Sequence, residues 1–258
     1  MGVPKIRTTW TSERMHRTAS LVRWGHFGQP LLLFPTAGGD CEEVERMHLI
    51  HALRPFLEAG AIKVYSCDSI AGRALLTQEG SPQHRMWLQD QFHRYVRHEV
   101  LPAIHADCQS DTLPVWTAGA SIGAFHAAAM VCRFPDVFHR AIAMSGTYDL
   151  ARFFGAPAHA FTHHFLVSSP VHFVPTLAGP HLDVLRQRFI LLLSGEGRAE
   201  DIGESWNLAS ILGRQGIPNR VDSWGRDWPH DWQTWRAMLP TTLHHWLTRE
   251  QSVGRQRP

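Results

Sequence analysis

The chain has 258 residues, 44% of them hydrophobic, and a formal net charge of +2. That length suits one sizeable core, and a single α/β domain commonly runs to it undivided. The near-neutral charge, with no block of like charges and no basic stripe interleaved with aromatics, argues against a nucleic-acid partner. No stretch is apolar for long enough to cross a bilayer.

The first residues, Met1-Gly2-Val3-Pro4-Lys5, lack the apolar core and cleavage site of a secretory signal. The four cysteines, Cys41, Cys67, Cys108 and Cys132, form no C-x-x-C unit. They read as reduced thiols of a cytoplasmic protein rather than as a disulfide framework. Residues 14–24 alternate loosely and predict paired N-terminal strands, followed by a turn over 25–30. Residues 31–34, Leu-Leu-Leu-Phe, form a continuous apolar run, as expected of a strand buried on both faces of a parallel sheet. The run ends in Pro35-Thr36-Ala37-Gly38-Gly39-Asp40. Asp40 with Glu43 predicts a capping box. The helix after it carries Val44, Met47, Ile50, Leu53 and Leu57 at helical spacing and stops at Gly60.

Residues 61–67 predict the next buried strand, and residues 83–104 a long helix with Leu88, Phe92, Tyr95 and Val96 on one face. A third apolar run, 113–118, leads into Gly119-Ala120-Ser121-Ile122-Gly123 and then the small-residue, helix-forming run 124–131. Strand, Gly-x-Ser-x-Gly and helix in that order is the context of a nucleophile elbow. The glycines permit a tight turn with close packing of helix on strand. The serine then stands at a helix N-terminus, where backbone N–H groups and the dipole favour a developing oxyanion.

Residues 139–144 read as a strand ending in Ser145-Gly146. Residues 151–180, rich in Gly, Pro, His and Phe, look like an insertion covering the site. Residues 189–193 predict a strand, 205–212 a helix stopping near Gly216, and 220–224 the last strand, before a Trp-rich loop and a final helix. Strands alternating with helices argue for a mainly parallel sheet covered on both faces. Ten tryptophans and eighteen histidines, weighted toward the end of the chain, hint at an aromatic-walled site there.

A serine hydroxyl needs a base within reach and a third group to orient that base. On a strand–turn–helix elbow the partners follow in the order Ser, acid, His, on loops at the carboxyl ends of strands. His230, after the last strand, occupies the position of the base. The loop after the preceding strand offers Glu196, Glu200, Asp201 and Glu204 as acids. Asp201 or Glu204 would otherwise cap the helix that follows, and Asp231 the final helix.

The elbow, the Phe34-to-Gly39 loop, the Gly195-to-Asp201 segment and the segment from Trp224-Gly225 to His230-Asp231-Trp232 together resemble the putative-esterase branch of the α/β-hydrolases. Esterase D (S-formylglutathione hydrolase) and the bacterial mycolyltransferases belong to that branch. The resemblance spans about residues 14–246 and implies one α/β-hydrolase domain over 1–258. In esterase D relatives the acid stands three residues after a glycine that follows the strand. Counted from Gly197 this is Glu200, with Asp201 as the alternative. A glutamate departs from the commoner aspartate, although the mycolyltransferase relatives also use one. The resemblance further implies an oxyanion hole from the N–H of Ile122 and that of Ala37, with Gly38 as the near alternative.

The expected activity is hydrolysis of a small-molecule carboxylic ester through an acyl-enzyme on Ser121, needing no cofactor and falling in acid as the imidazole protonates. Acyl transfer to another acceptor and a catalytically dead binding scaffold are the rivals. His159, His163 and His164 would allow a zinc pair if helical, but no Glu or third ligand accompanies them, so no metal is expected. The Gly-rich loop at 36–39 lacks the Gly-Lys-Ser/Thr ending of a phosphate loop. The sequence does not fix the oligomeric state, and a homo-oligomer is compatible with it.

Overall fold

A computed structural model describes residues 2–155 and 157–254, so Met1 of the N-terminal stretch and Ala156 of the 151–180 stretch lie outside the described residues. Eight strands form one sheet in the order β1-β2-β4-β3-β5-β6-β7-β8. β1 (Lys5–Ser12) and β2 (Arg17–Trp24) make an antiparallel hairpin, and β2 runs antiparallel to β4 (Ile62–Cys67). The N-terminal pair therefore exists, but its first strand lies upstream of the stretch whose alternation suggested it. The remaining pairings, through β3 (Gln29–Phe34), β5 (Val115–Ala120), β6 (Phe138–Met144), β7 (Phe189–Ser194) and β8 (Asn219–Ser223), are all parallel.

The apolar runs become central strands because both of their faces are covered. Leu32 and Phe34 pack with Phe92, Tyr95, Ala124 and Ala128 on one side. Leu31 and Leu33, pointing the other way along the same strand, pack with Val44, Leu53, Met238 and Leu239. Burying one such side chain is worth about 1.5–3 kcal/mol, and both faces of β3 gain it.

Two local expectations are corrected. The Asp40–Glu43 capping box does not form: Asp40 Oδ1 accepts the N–H of Glu42, and the Glu43 carboxylate turns instead to Thr36. The helix expected over 44–57 is three short pieces, Glu43–Arg46, Leu49–Ala52 and Arg54–Glu58. His48 adopts φ 62°, which makes the first break, and Pro55 supplies no N–H to carry the ladder across the second.

The long helix begins at Pro82, with Ser81 Oγ accepting the N–H of His84, and runs to Cys108 through a π turn at Val96–Val100. Pro102, just past that turn, cannot donate back to the preceding turn, which accounts for the local loosening. Among the described residues of 151–180 the helices are short, as in Ala151–Phe154 and His163–Ser168. His164 Nδ1 on the second lies 2.8 Å from Asp90 Oδ2 on the long helix. No described helix is long and apolar enough to cross a membrane.

Candidate active site

β5, β6, β7 and β8 lie side by side, and the loops leaving their carboxyl ends share one rim of the sheet. The turn after β5 is strained. Ser121 has φ 57° and ψ −122°, and a helix, Ile122–Arg133, starts immediately behind it. Gly119 and Gly123 leave no room for a side chain: a Cβ on Gly119 would stand 2.3 Å from the carbonyl oxygen of Gly123, and one on Gly123 2.6 Å from that of Phe34. The cost of the serine's backbone is offset by fixed neighbours, including its own N–H donating to Met144 O at 3.0 Å. Among the described residues no hydrogen bond engages Ser121 Oγ, which leaves the hydroxyl open to a cleft.

The loop after β3 passes beside the elbow. Glu43 clamps it, accepting from the N–H of Thr36 at 2.8 Å and from the Thr36 hydroxyl at 2.7 Å. Ala37 and Ile122 both line the cleft onto which Ser121 opens. Among the described residues the N–H groups of Ala37, Gly38 and Ile122 make no hydrogen bond, and Ala37 and Ile122 line the same cleft as the serine.

The loops after β7 and β8 are laced together. The N–H of Glu196 donates to Gly225 O at 2.9 Å, that of Gly197 to Trp228 O at 3.1 Å, and that of His230 to Arg198 O at 3.0 Å. Gly195 and Gly197 allow this approach, since a Cβ on Gly195 would fall 1.9 Å from Trp228 O. The lacing brings Glu200 Oε2 to 3.8 Å from His230 Nδ1. That is about 1 Å longer than an N–H···O bond. Glu200 is 1% exposed and His230 26%. The T-shaped contact of the imidazole with Trp235, 5.1 Å between centroids, fixes one side of the ring.

Two hydroxyls hold the buried carboxylate. Ser145, the residue after β6, donates to Glu200 Oε1 at 2.5 Å and accepts from Trp235 Nε1 at 2.9 Å; the Ser194 hydroxyl lies 3.2 Å from Oε2 and shares its proton with Gly195 O at 2.9 Å. Asp201 instead caps the helix Ile202–Arg214 by accepting from Gly203 N, and Glu204 accepts from the N–H groups of Tyr148 and Asp149. Glu196 accepts from Ser223. Asp231 accepts from Trp232 N at the start of the final helix. Of the four acids after β7, only Glu200 is paired with His230.

Ser145, Ser194 and Trp235 escaped the sequence reading. Position alone offered a signal for the first two, each standing at the carboxyl end of a central strand. His164 lies on Asp90, together with Arg94 and Arg133. Burial would raise the Asp90 pKa, but the hydrogen bonds of Arg133 and His164 outweigh it and hold the carboxyl below its ordinary value.

A family model described as "Esterase: Putative esterase" matches residues 72–246. No curated protein matches significantly. Among solved structures, a ferulic acid esterase superposes with a TM-score of 0.72 at 16% identity, covering 96% of this chain and 99% of that one. An S-formylglutathione hydrolase from Agrobacterium tumefaciens gives 0.71 at 15% identity, covering 96% of each chain. MPT51 (FbpC1) of Mycobacterium tuberculosis gives 0.69 at 15% identity, with 96% and 99% covered. At these identities the likeness is one of fold: an α/β-hydrolase sheet, mostly parallel, with helices on both faces.

Proposed function

We propose, from the premise that this chain belongs to the putative esterase family and is a carboxylic ester hydrolase, that Ser121, His230 and Glu200 form its catalytic triad. Ser121 Oγ attacks the acyl carbon while His230 takes its proton. Glu200 holds the imidazole in the right tautomer and stabilises its charged form. The N–H groups of Ile122 and Ala37 receive the oxyanion, each contributing on the order of 2.7–4 kcal/mol to the transition state. Ala37 is favoured over Gly38 because it lines the cleft alongside Ser121 and Ile122. His230 then passes the proton to the leaving oxygen. Water, deprotonated by His230, hydrolyses the acyl-enzyme and restores the serine.

One observation carries the reading: a buried carboxylate paired with an imidazole on a laced loop, at the same rim as a serine held at φ 57°. Strain of that kind is tolerated where function needs it. The test is hydrolysis of a nitrophenyl butyrate ester with fluorophosphonate labelling. Wild type is expected to label at Ser121, and Ser121→Ala to lose kcat by on the order of 10⁴–10⁶. Wild-type turnover by Ser121→Ala ends the proposal. Adding a competing alcohol separates hydrolysis from acyl transfer, and water is the expected acceptor.

A further inference from the structure

The cleft onto which Ser121 opens has a volume of about 260 Å³. Its floor is Leu75 and Leu150, both buried, and its rim is Leu76 and Phe153, which are 64% and 41% exposed. Leu75 and Leu150 belong to one apolar cluster with Met86, Phe125, Phe154 and Phe165, so the floor is backed by packed side chains. Rim residues this apolar and this exposed, next to a nucleophile, are what a ligand would cover.

The polar lining is sparse and partly engaged: besides Ser121 it consists of Gln78 and Thr147. Gln78 donates its amide to the carbonyl of Leu75 at 2.8 Å. Thr147 is approached at 3.5 Å by Arg152, whose guanidinium stacks over the Phe153 ring and pairs with Glu204 at 3.7 Å. Among the described residues no Lys, Arg, Asp or Glu lines the cleft itself.

His230 does not line the cleft either. The leaving oxygen must lie on the side of the histidine that protonates it. The cleft therefore faces the other substituent of the reacting carbon, the acyl group. We infer that this cleft is the acyl site and that it selects uncharged, medium-length acyl groups: straight chains of about six to eight carbons, or a single aryl ring. The size follows from volume. At about 30 Å³ for a water-sized group, the cleft holds roughly nine such groups. An acetyl group leaves most of it to water, and a long-chain acyl group overruns it. A terminal carboxylate would be desolvated against Leu75 and Leu150 with no cation in the lining, the nearby Arg152 being turned to Thr147, Phe153 and Glu204.

This inference rests on the esterase reading above, and its test keeps the two apart. The kcat/KM of nitrophenyl esters from acetyl to dodecanoyl is measured per fluorophosphonate-titratable site, with a succinyl ester set against the pentanoyl ester. From the value of a buried methylene, kcat/KM is expected to rise about two- to fourfold per carbon and to level near octanoyl. The succinyl ester is expected to run at least about tenfold below pentanoyl.

Leu76→Asp, a change at an exposed rim position, is expected to cut the octanoyl-to-acetyl ratio at least about fivefold by putting a charge against the chain. Leu75→Trp, which fills the floor, is expected to move the optimum toward acetyl. A ratio that is flat from acetyl onward, or one that Leu76→Asp leaves unchanged, overturns the acyl-site assignment while leaving the esterase reading intact. No turnover of any ester and no labelling of Ser121 overturns both.

Discussion

The hydroxyl of Ser145 donates to Glu200 Oε1 at 2.5 Å while accepting from the indole N–H of Trp235 at 2.9 Å. One hydroxyl thereby ties the proposed triad acid to the final helix, and the same indole packs against the His230 ring. Ser145→Ala leaves both the buried carboxylate oxygen and the indole N–H without this partner. Losing a hydrogen bond to a charged group is worth about 1.5–3 kcal/mol, so kcat is expected to fall about 10- to 100-fold with KM little changed. Trp235→Phe keeps the ring but removes the donor, and is expected to cost less. Steady-state kinetics with the pH profile of kcat/KM checks this, since a purely structural role would not move the profile.

Glu200 and Asp201 are adjacent, yet they have different partners. Asp201 accepts from the N–H of Gly203 as a helix cap, whereas Glu200 faces His230. Glu200→Gln preserves shape but offers His230 the wrong hydrogen-bonding partner, and a loss of about 10⁴ in kcat is expected by analogy with other triads. Asp201→Asn retains an acceptor for the cap and is expected to change kcat less than about threefold, with at most about 1 kcal/mol lost from stability. The reverse order of effects would transfer the role to Asp201.

Glu43 is the clamp of the loop carrying Ala37. Its two oxygens accept from the Thr36 N–H and hydroxyl, and Gly39 lies so close that a Cβ there would stand 2.3 Å from Glu43 Oε2. Glu43→Ala frees the loop and should displace the Ala37 N–H by a fraction of an ångström. A lost oxyanion donor costs about 10²–10³ in kcat, and partial misplacement is expected to cost about 10- to 100-fold, with KM nearly constant. Glu43→Gln keeps one good acceptor and is expected to recover part of the loss. Equal kcat for all three proteins would show that the clamp is irrelevant to turnover.

The central strands were legible because a strand buried on both faces has to be apolar at every position, as Leu31 to Phe34 are. The elbow was legible because only glycine fits at 119 and 123. Chain order pointed to His230. Glu43 was misread because a capping box and a loop clamp require the same acidic residue at the same spacing; the neighbour it turns to is set by the tertiary fold. The break at His48 was invisible for a similar reason, since its apolar neighbours keep helical spacing across a left-handed residue. The cleft was legible only in part: Ala37, Ser121, Ile122 and the 151–180 stretch carried a signal, whereas Leu75, Leu76, Gln78, Thr147 and Leu150 carried none. Its walls come from the stretches around 37, 75–78, 121 and 147–153, and only packing brings these together.

His93 on the long helix and His126 on the elbow helix form a buried pair, with His93 Nε2 3.2 Å from His126 Nδ1. Such a contact requires one ring to donate and the other to accept, so the accepting ring is neutral, and full burial disfavours a charge on either ring. Gln89 reaches both rings at 3.4–3.5 Å, Phe92 and Phe125 pack around them, and Arg133 repels a proton on His93. Burial drives the pKa of His126 down to about 3, and burial with the Arg133 charge drives that of His93 well below its ordinary value. The sign follows from proton uptake. Above about pH 6.5 neither folded nor unfolded rings bind protons, and the pair adds no pH dependence. Below it the unfolded chain takes up protons that the folded chain refuses, so stability falls by about 1.4 kcal/mol per pH unit for each ring. For His126 the loss continues toward pH 3, reaching about 3 kcal/mol by pH 4.5. A His93→Leu/His126→Leu double variant removes this dependence while leaving the carboxylates in place. Urea midpoints at pH 7 and pH 4.5 should therefore differ less in the double variant than in wild type; an equal difference would mean that acid lability arises elsewhere.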